Sequence, residues 1–176
     1  MELNQRHKTS AVVLHWLSGV LILFVLTTGS LVLSDIPNTM EKISSFRVHM
    51  ILGIAITILT IIRITVIVKS KKLEPLKVSK FRAKLIKFNH IAIYVVLLLI
   101  GLSGILLAKG SGLGEIVFFG SNTELYNSFK DYSVGIVHRV LTKVLLFLIV
   151  MHIVGILSYK FKTKECVLKR MWFSSK

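Results

Sequence analysis

Six histidines carry most of the chemistry this sequence offers: His7, His15, His49, His90, His138 and His152. Four of them, His15, His49, His138 and His152, fall inside long apolar runs or at their ends. An ionisable ring in hydrocarbon is costly, and one that is kept there usually serves a function. Imidazole binds metals and titrates near neutrality, so ligation and proton transfer are the chemistries to weigh. The spacing favours ligation. His138 and His152 are 14 residues apart. At 3.6 residues per turn this is close to four turns, so both rings share a face, roughly 21 Å apart along the axis. If successive runs are antiparallel helices, His15 matches His152 in depth and His49 matches His138. Two bis-histidine sites result, stacked across a membrane. A lone membrane histidine is as often an interhelical hydrogen-bonding residue, but four that pair by depth are harder to reach that way. Zinc prefers about four ligands at one centre, which two distant pairs do not supply. Bis-imidazole ligation suits a low-spin haem that carries electrons and keeps no iron position open.

A flat macrocycle needs room beside its ligands. Gly19 follows His15 by four residues, Gly53 follows His49 by four, and Gly155 follows His152 by three. Each lies near its histidine's own helix face. Haem carboxylates want cationic or hydroxyl partners. Arg47 and Arg139 flank the outer pair, and Lys8, Thr9 and Lys160 stand near the inner one. His90 opens the third run near the inner pair, where it would bind a quinone headgroup, relay a proton or anchor the helix at the interface. His7 reads as a solvated or headgroup-facing ring. Trp16 reads as an interfacial belt aromatic or, second, as a side chain packed on haem. Arg63, late in the second run, is expected to snorkel to the inner interface.

The elements that must hold these residues are transmembrane helices. The chain has 176 residues, 53% of them hydrophobic, more than a soluble domain of this size uses. The apolar runs are residues 12–33, 48–68, 90–108 and 136–158, each of 19–23 residues. At about 1.5 Å per residue, each crosses a hydrocarbon core of about 30 Å. Without water to satisfy the backbone, such runs must be helical. The fold class expected is all-α, an integral membrane four-helix bundle, as one domain over residues 1–176. The first run is too long for a signal-peptide core, and no A-x-A-like site follows it.

The formal charge of +15 follows the topology. Outside the runs, Lys and Arg number two in the N-terminal lead, eight in the second connection and six in the tail, against two in each of the other connections. The positive-inside rule then places the N- and C-termini in the cytoplasm. The basic connection suits anionic lipid, and charge that alternates sides with the helices argues against nucleic acid. The one cysteine, Cys166, excludes an internal disulfide and covalent c-type haem attachment. Pro37 and Asn38 mark a short turn. The stretch with Phe81, Leu85 and Phe88 among basic residues is expected to lie as an interfacial helix. Gly101 and Gly104 suit close helix contact. The third connection mixes Gly110, Gly112 and Gly114 with Phe118, Phe119, Tyr126, Phe129 and Tyr132, and is expected to cap the outer mouth.

His15-Trp16, Arg47-Val48-His49 with Gly53, His90 with Tyr94 and Gly104, and His138 with His152 together resemble the bacterial cytochrome b561 family over nearly the whole chain. The short length is closest to stand-alone members, superoxide-oxidising ones among them. The resemblance implies a multi-pass protein of the bacterial inner membrane with two non-covalent haem b groups. His15 and His152 would ligate one, His49 and His138 the other. It further implies an oxidoreductase that takes electrons from superoxide on the periplasmic side and passes them to ubiquinone. The chain departs from the family in two places. Thr9 stands where a basic residue usually precedes the first ligand, and Tyr159 and Lys160 stand where further histidines often follow the last. The alternative is a cytochrome b membrane anchor passing electrons between quinone and a partner oxidoreductase. A haem-free transporter is the reading from another class, and no paired carboxylates or inverted repeat support it.

Overall fold

A computed structural model of the chain describes residues 7–33, 38–70, 73–121, 128–129 and 132–172. The turn expected at Pro37, Tyr126 of the expected cap and five of the cations counted above, Arg6, Lys71, Lys72, Lys130 and Lys176, lie outside them. Among the described residues the chain is helical, without strands. Helix α1 is Thr9–Thr28 and continues through a widened turn at Gly29–Leu33. A short turn of helix at Met40–Lys42 leads into α2, Ile43–Lys69. Then come α3, Lys80–Gly110, the short α4, Leu113–Phe119, and α5, Ser133–Thr163. The chain ends its described part with a tight turn at Val167–Met171.

Four of these helices are long and apolar enough to cross a membrane, and each contains one of the apolar runs. Only 11–17% of the most apolar window of each is buried within the protein, so most of that surface is left for lipid. Helix α3 departs from expectation. It begins at Lys80, well before the apolar run, so Phe81, Leu85 and Phe88 form its first turns rather than a separate interfacial helix. The cause is local. Ser79 caps the helix by accepting from the Arg82 backbone N–H, and no breaker stands between Lys80 and His90.

Close packing runs α1 to α2, α2 to α3 and α3 to α5, while neither α1 nor α2 packs closely along α5 among the described residues. Lipid is as apolar as leucine, so contacts between helices depend on fit rather than on the hydrophobic effect. Gly101 shows this: a methyl group there would overlap the Thr57 hydroxyl of α2. The mid-membrane core comprises Ile22, Ile56, Val96, Leu97, Leu145 and Leu148.

The two ends close differently. At the end where α2 begins, α4 lays Leu113 and Val117 on Phe46. Two left-handed glycines, Gly112 (φ 69°) and Gly120 (φ 67°), turn the chain into and out of α4. At the inner end the tail folds back as a strap. The indole N–H of Trp16 donates to the Met171 carbonyl at 2.8 Å, and its ring meets Trp172 edge-on at 5.8 Å. The His7 backbone N–H donates to the Arg170 carbonyl at 3.1 Å. Arg170, buried, donates to the Glu74 carbonyl at 2.8 Å. Trp16 therefore tethers the tail, a role beyond the belt or haem-packing roles expected. His7 is half-buried under the strap rather than solvated.

Candidate metal centre: two facing histidine pairs

The four histidines come together across the loosely packed seam between α5 and its two partners. The rings of His15 on α1 and His152 on α5 have centroids 6.3 Å apart. Those of His49 on α2 and His138 on α5 are 6.4 Å apart. Two metal–imidazole bonds of about 2.0 Å each, plus the offset from each nitrogen to its ring centre, add up to about 6 Å. Each pair is spaced for one metal ion between facing rings. His90 is not a third candidate of this kind: its ring lies 5.0 Å from that of His152, too near for an ion between them. Between the pairs lies the apolar core, with Leu145 midway along α5, seven residues from each histidine.

The nitrogen that does not bind the metal decides what each imidazole offers. A metal-binding histidine ordinarily donates its other N–H to an acceptor. His138 has one. Its Nδ1 lies 3.0 Å from the Ser103 oxygen, and the Ser103 hydroxyl donates to the Ile100 carbonyl at 2.9 Å. With that one proton committed, the serine oxygen accepts from His138 and leaves Nε2 bare. His49 Nδ1 is buried with no hydrogen-bond partner among the described residues. Beside it, α1 passes at Gly29, where a Cβ would meet His49 Cε1 at 2.8 Å. Gly104 stands in the same relation to His138, 3.4 Å from Cε1. A cleft of about 260 Å³ opens next to His49, walled by Phe24 and Thr28 of α1 and Ser45 and Leu52 of α2. A methyl at Gly19, Gly53 or Gly155 would meet nothing within 4 Å.

The inner pair is set in a polar cluster that the sequence reading did not assemble. Arg63 turns inward from α2 instead of snorkelling to the interface. It donates to Ser18 at 2.7 Å and to His15 Nδ1 at 2.9 Å, and its guanidinium sits 5.5 Å from the Tyr94 ring centre. A guanidinium has no acceptor, so His15 Nδ1 receives this bond. The signal for Arg63 was present: an arginine six residues inside the end of a helix that holds no acid. His90 donates from Nδ1 to the Ile86 carbonyl at 2.7 Å, which leaves its Nε2 free.

The other expected contacts divide. Arg47 gives both Nε and Nη2 to the Val117 carbonyl, at 3.0 and 2.7 Å, and so ties α2 to α4. Arg139 is half-buried, with no side-chain partner among the described residues. Lys8, Thr9 and Lys160 are exposed. Cys166 is half-buried in the strap as a free thiol.

A family model described as prokaryotic cytochrome b561 matches residues 6–174. No curated protein and no solved structure matches the chain.

Proposed function

Because the chain belongs to the prokaryotic cytochrome b561 family, we propose that His15 with His152, and His49 with His138, each hold one haem b. The family is one of haem-binding membrane electron-transfer proteins, and this chain is a multi-pass member of it. The observation that carries the two-site reading is the near-identical ring separation of the two pairs, 6.3 and 6.4 Å. The open space at Gly19, Gly53 and Gly155 supports it. A haem iron between two imidazoles supplies reversible one-electron transfer and offers no open coordination position. The chain supplies the rest. Helix α5 fixes one ligand at each membrane surface, Ser103 sets the tautomer of His138, and the apolar core keeps water from the space between.

The inner face carries the basic connection and tail, so both termini lie in the cytoplasm of a bacterial inner-membrane protein. At the outer face the electron donor is superoxide. Each superoxide anion gives up one electron and leaves as dioxygen, and the uncommitted Arg139 attracts the anion. Two such electrons and two protons convert one ubiquinone to its quinol. His90, exposed and with its ring beside that of His152, takes up a proton from water at its bare Nε2 and passes it to the reduced quinone at the inner end.

One stopped-flow experiment separates these layers. Purified, oxidised protein is mixed with superoxide while the b-type α-band is followed, in the parent chain and in His15→Ala and His49→Ala. The expected result is a band that superoxide raises in the parent and raises to about half of that amplitude in His15→Ala, which keeps the outer haem, while in His49→Ala dithionite but not superoxide raises the remaining half. Absence of any b-type band sinks the haem assignment. A band in the parent that dithionite raises and superoxide does not would leave the haem assignment standing and remove superoxide as donor.

A further inference from the structure

Among the described residues Arg63 is a cation without a counter-ion. Helices α1, α2, α3 and α5 contain no Asp or Glu. Its contacts are the Ser18 hydroxyl, the His15 Nδ1 and Tyr94, which both hydrogen-bonds to it and offers it a ring face. None of these is an anion. A guanidinium held half-buried inside a membrane helix bundle is strongly disfavoured unless a negative group accompanies it. Its bond to His15 is also at odds with ligation. A neutral imidazole that binds metal through one nitrogen carries a proton on the other, and that proton must point at an acceptor. Arg63 offers only donors. For His15 to ligate as a neutral ring, the guanidinium must leave Nδ1 and find an acceptor elsewhere.

The group expected at the inner pair brings one. Haem b carries two carboxylates, and a guanidinium binds a carboxylate through paired hydrogen bonds. We infer that Arg63 is the inner site's carboxylate anchor: its guanidinium turns from His15 Nδ1 to pair with a haem carboxylate. The inference rests on the proposed ligand role of His15 and His152. It replaces the exposed Lys8, Thr9 and Lys160 as carboxylate partners with a residue at the depth of the ligands. The Ser18 and Tyr94 contacts keep the guanidinium at this depth while its third partner changes. The exchange also neutralises the charge, because the incoming anion supplies what the helices lack.

The test is a binding comparison on full-length protein made without haem and held in detergent. A His49→Ala background removes the outer site, so absorbance titration reads the inner site alone. Two probes are compared: iron protoporphyrin IX and its dimethyl ester, which has the same ring and iron but no carboxylate. The parent should prefer the acid by about tenfold or more. Arg63→Met should reduce that preference to about twofold or less. Retention of the full preference in Arg63→Met, or an equal loss of affinity for both probes, would overturn the inference. If the Met variant does not accumulate, Arg63→Lys and Arg63→Gln replace it. Preference kept by Lys and lost by Gln supports the anchor, and equal behaviour of the two overturns it. A parent that binds both probes equally defeats only the anchor. A parent that binds neither defeats the His15–His152 assignment as well.

Discussion

His49 turns its Cε1–Nδ1 edge toward α1 at Gly29, where a side chain of one carbon would stand 2.8 Å from the ring. That approach is shorter than real Cβ contacts allow, and the obstacle is a ring rather than a flexible tip. Gly29→Ala must therefore displace either the imidazole or α1. The expected outcome is loss of most of the outer haem with the inner one retained, checked by haem-to-protein ratio and by the amplitude of the α-band. Gly104 meets His138 at an ordinary 3.4 Å, so Gly104→Ala should be the milder change. Residue identity made the histidines legible, since an ionisable ring in an apolar run has few ordinary uses. It did not reveal Gly29, because a glycine opposite a ligand on another helix has no signature in its own neighbourhood. Arg63 was visible as an oddity but was assigned outward, because the direction of a long side chain depends on which neighbours accept it.

At the scale of elements, α5 is the axis of the site. It supplies one histidine to each pair, and the rings share a face because 14 residues make close to four turns. This register is open to a direct test. One alanine inserted after Leu145, midway between His138 and His152, rotates one end of α5 against the other by about 100°. Only one pair can then face its partner. The haem-to-protein ratio should fall by about half. Four inserted residues add about one turn, restore the facing and move one ligand in depth by about 6 Å. An unchanged ratio after the single insertion would mean that α5 does not carry both ligands. The helix pattern of α5 was readable from the sequence because hydropathy and periodicity are properties of the segment itself. The early start of α3 at Lys80 was not, because charged residues at a membrane edge suit a helix extension and a loop equally well.

At the scale of the molecule, the helices leave a seam and the tail closes one end. Helix α5 packs on α3 and stands apart from α1 and α2, and the two histidine pairs bridge that seam. The strap at the inner end joins the N-terminal lead, α1 and the α2–α3 connection through Trp16, Arg170 and His7. Burial pushes the His7 imidazole below its ordinary 6.5, and the Arg170 charge pushes it the same way. The folded chain therefore accommodates the neutral ring. Its contribution is complete above about pH 6.5 and is lost as the pH falls through the lowered folded value. Limited proteolysis should cut the tail faster at about pH 5 than at about pH 8. His7→Gln should flatten that difference, and a difference that persists in the variant would remove His7 as its source.

The sequence by itself determined the four spans, the pairing of the histidines by depth and the haem-binding family, because these depend on segment length, helical period and residue chemistry. It could not determine which helices pack, where a seam is left, or that a lone arginine turns toward His15 rather than toward water. Those outcomes depend on the distance between side chains remote in the chain, and only the tertiary structure sets that distance. The gap that the histidine pairs bridge exists because α1 and α2 pack closely on each other and not on α5. The sequence specifies both sides of that gap without stating its width.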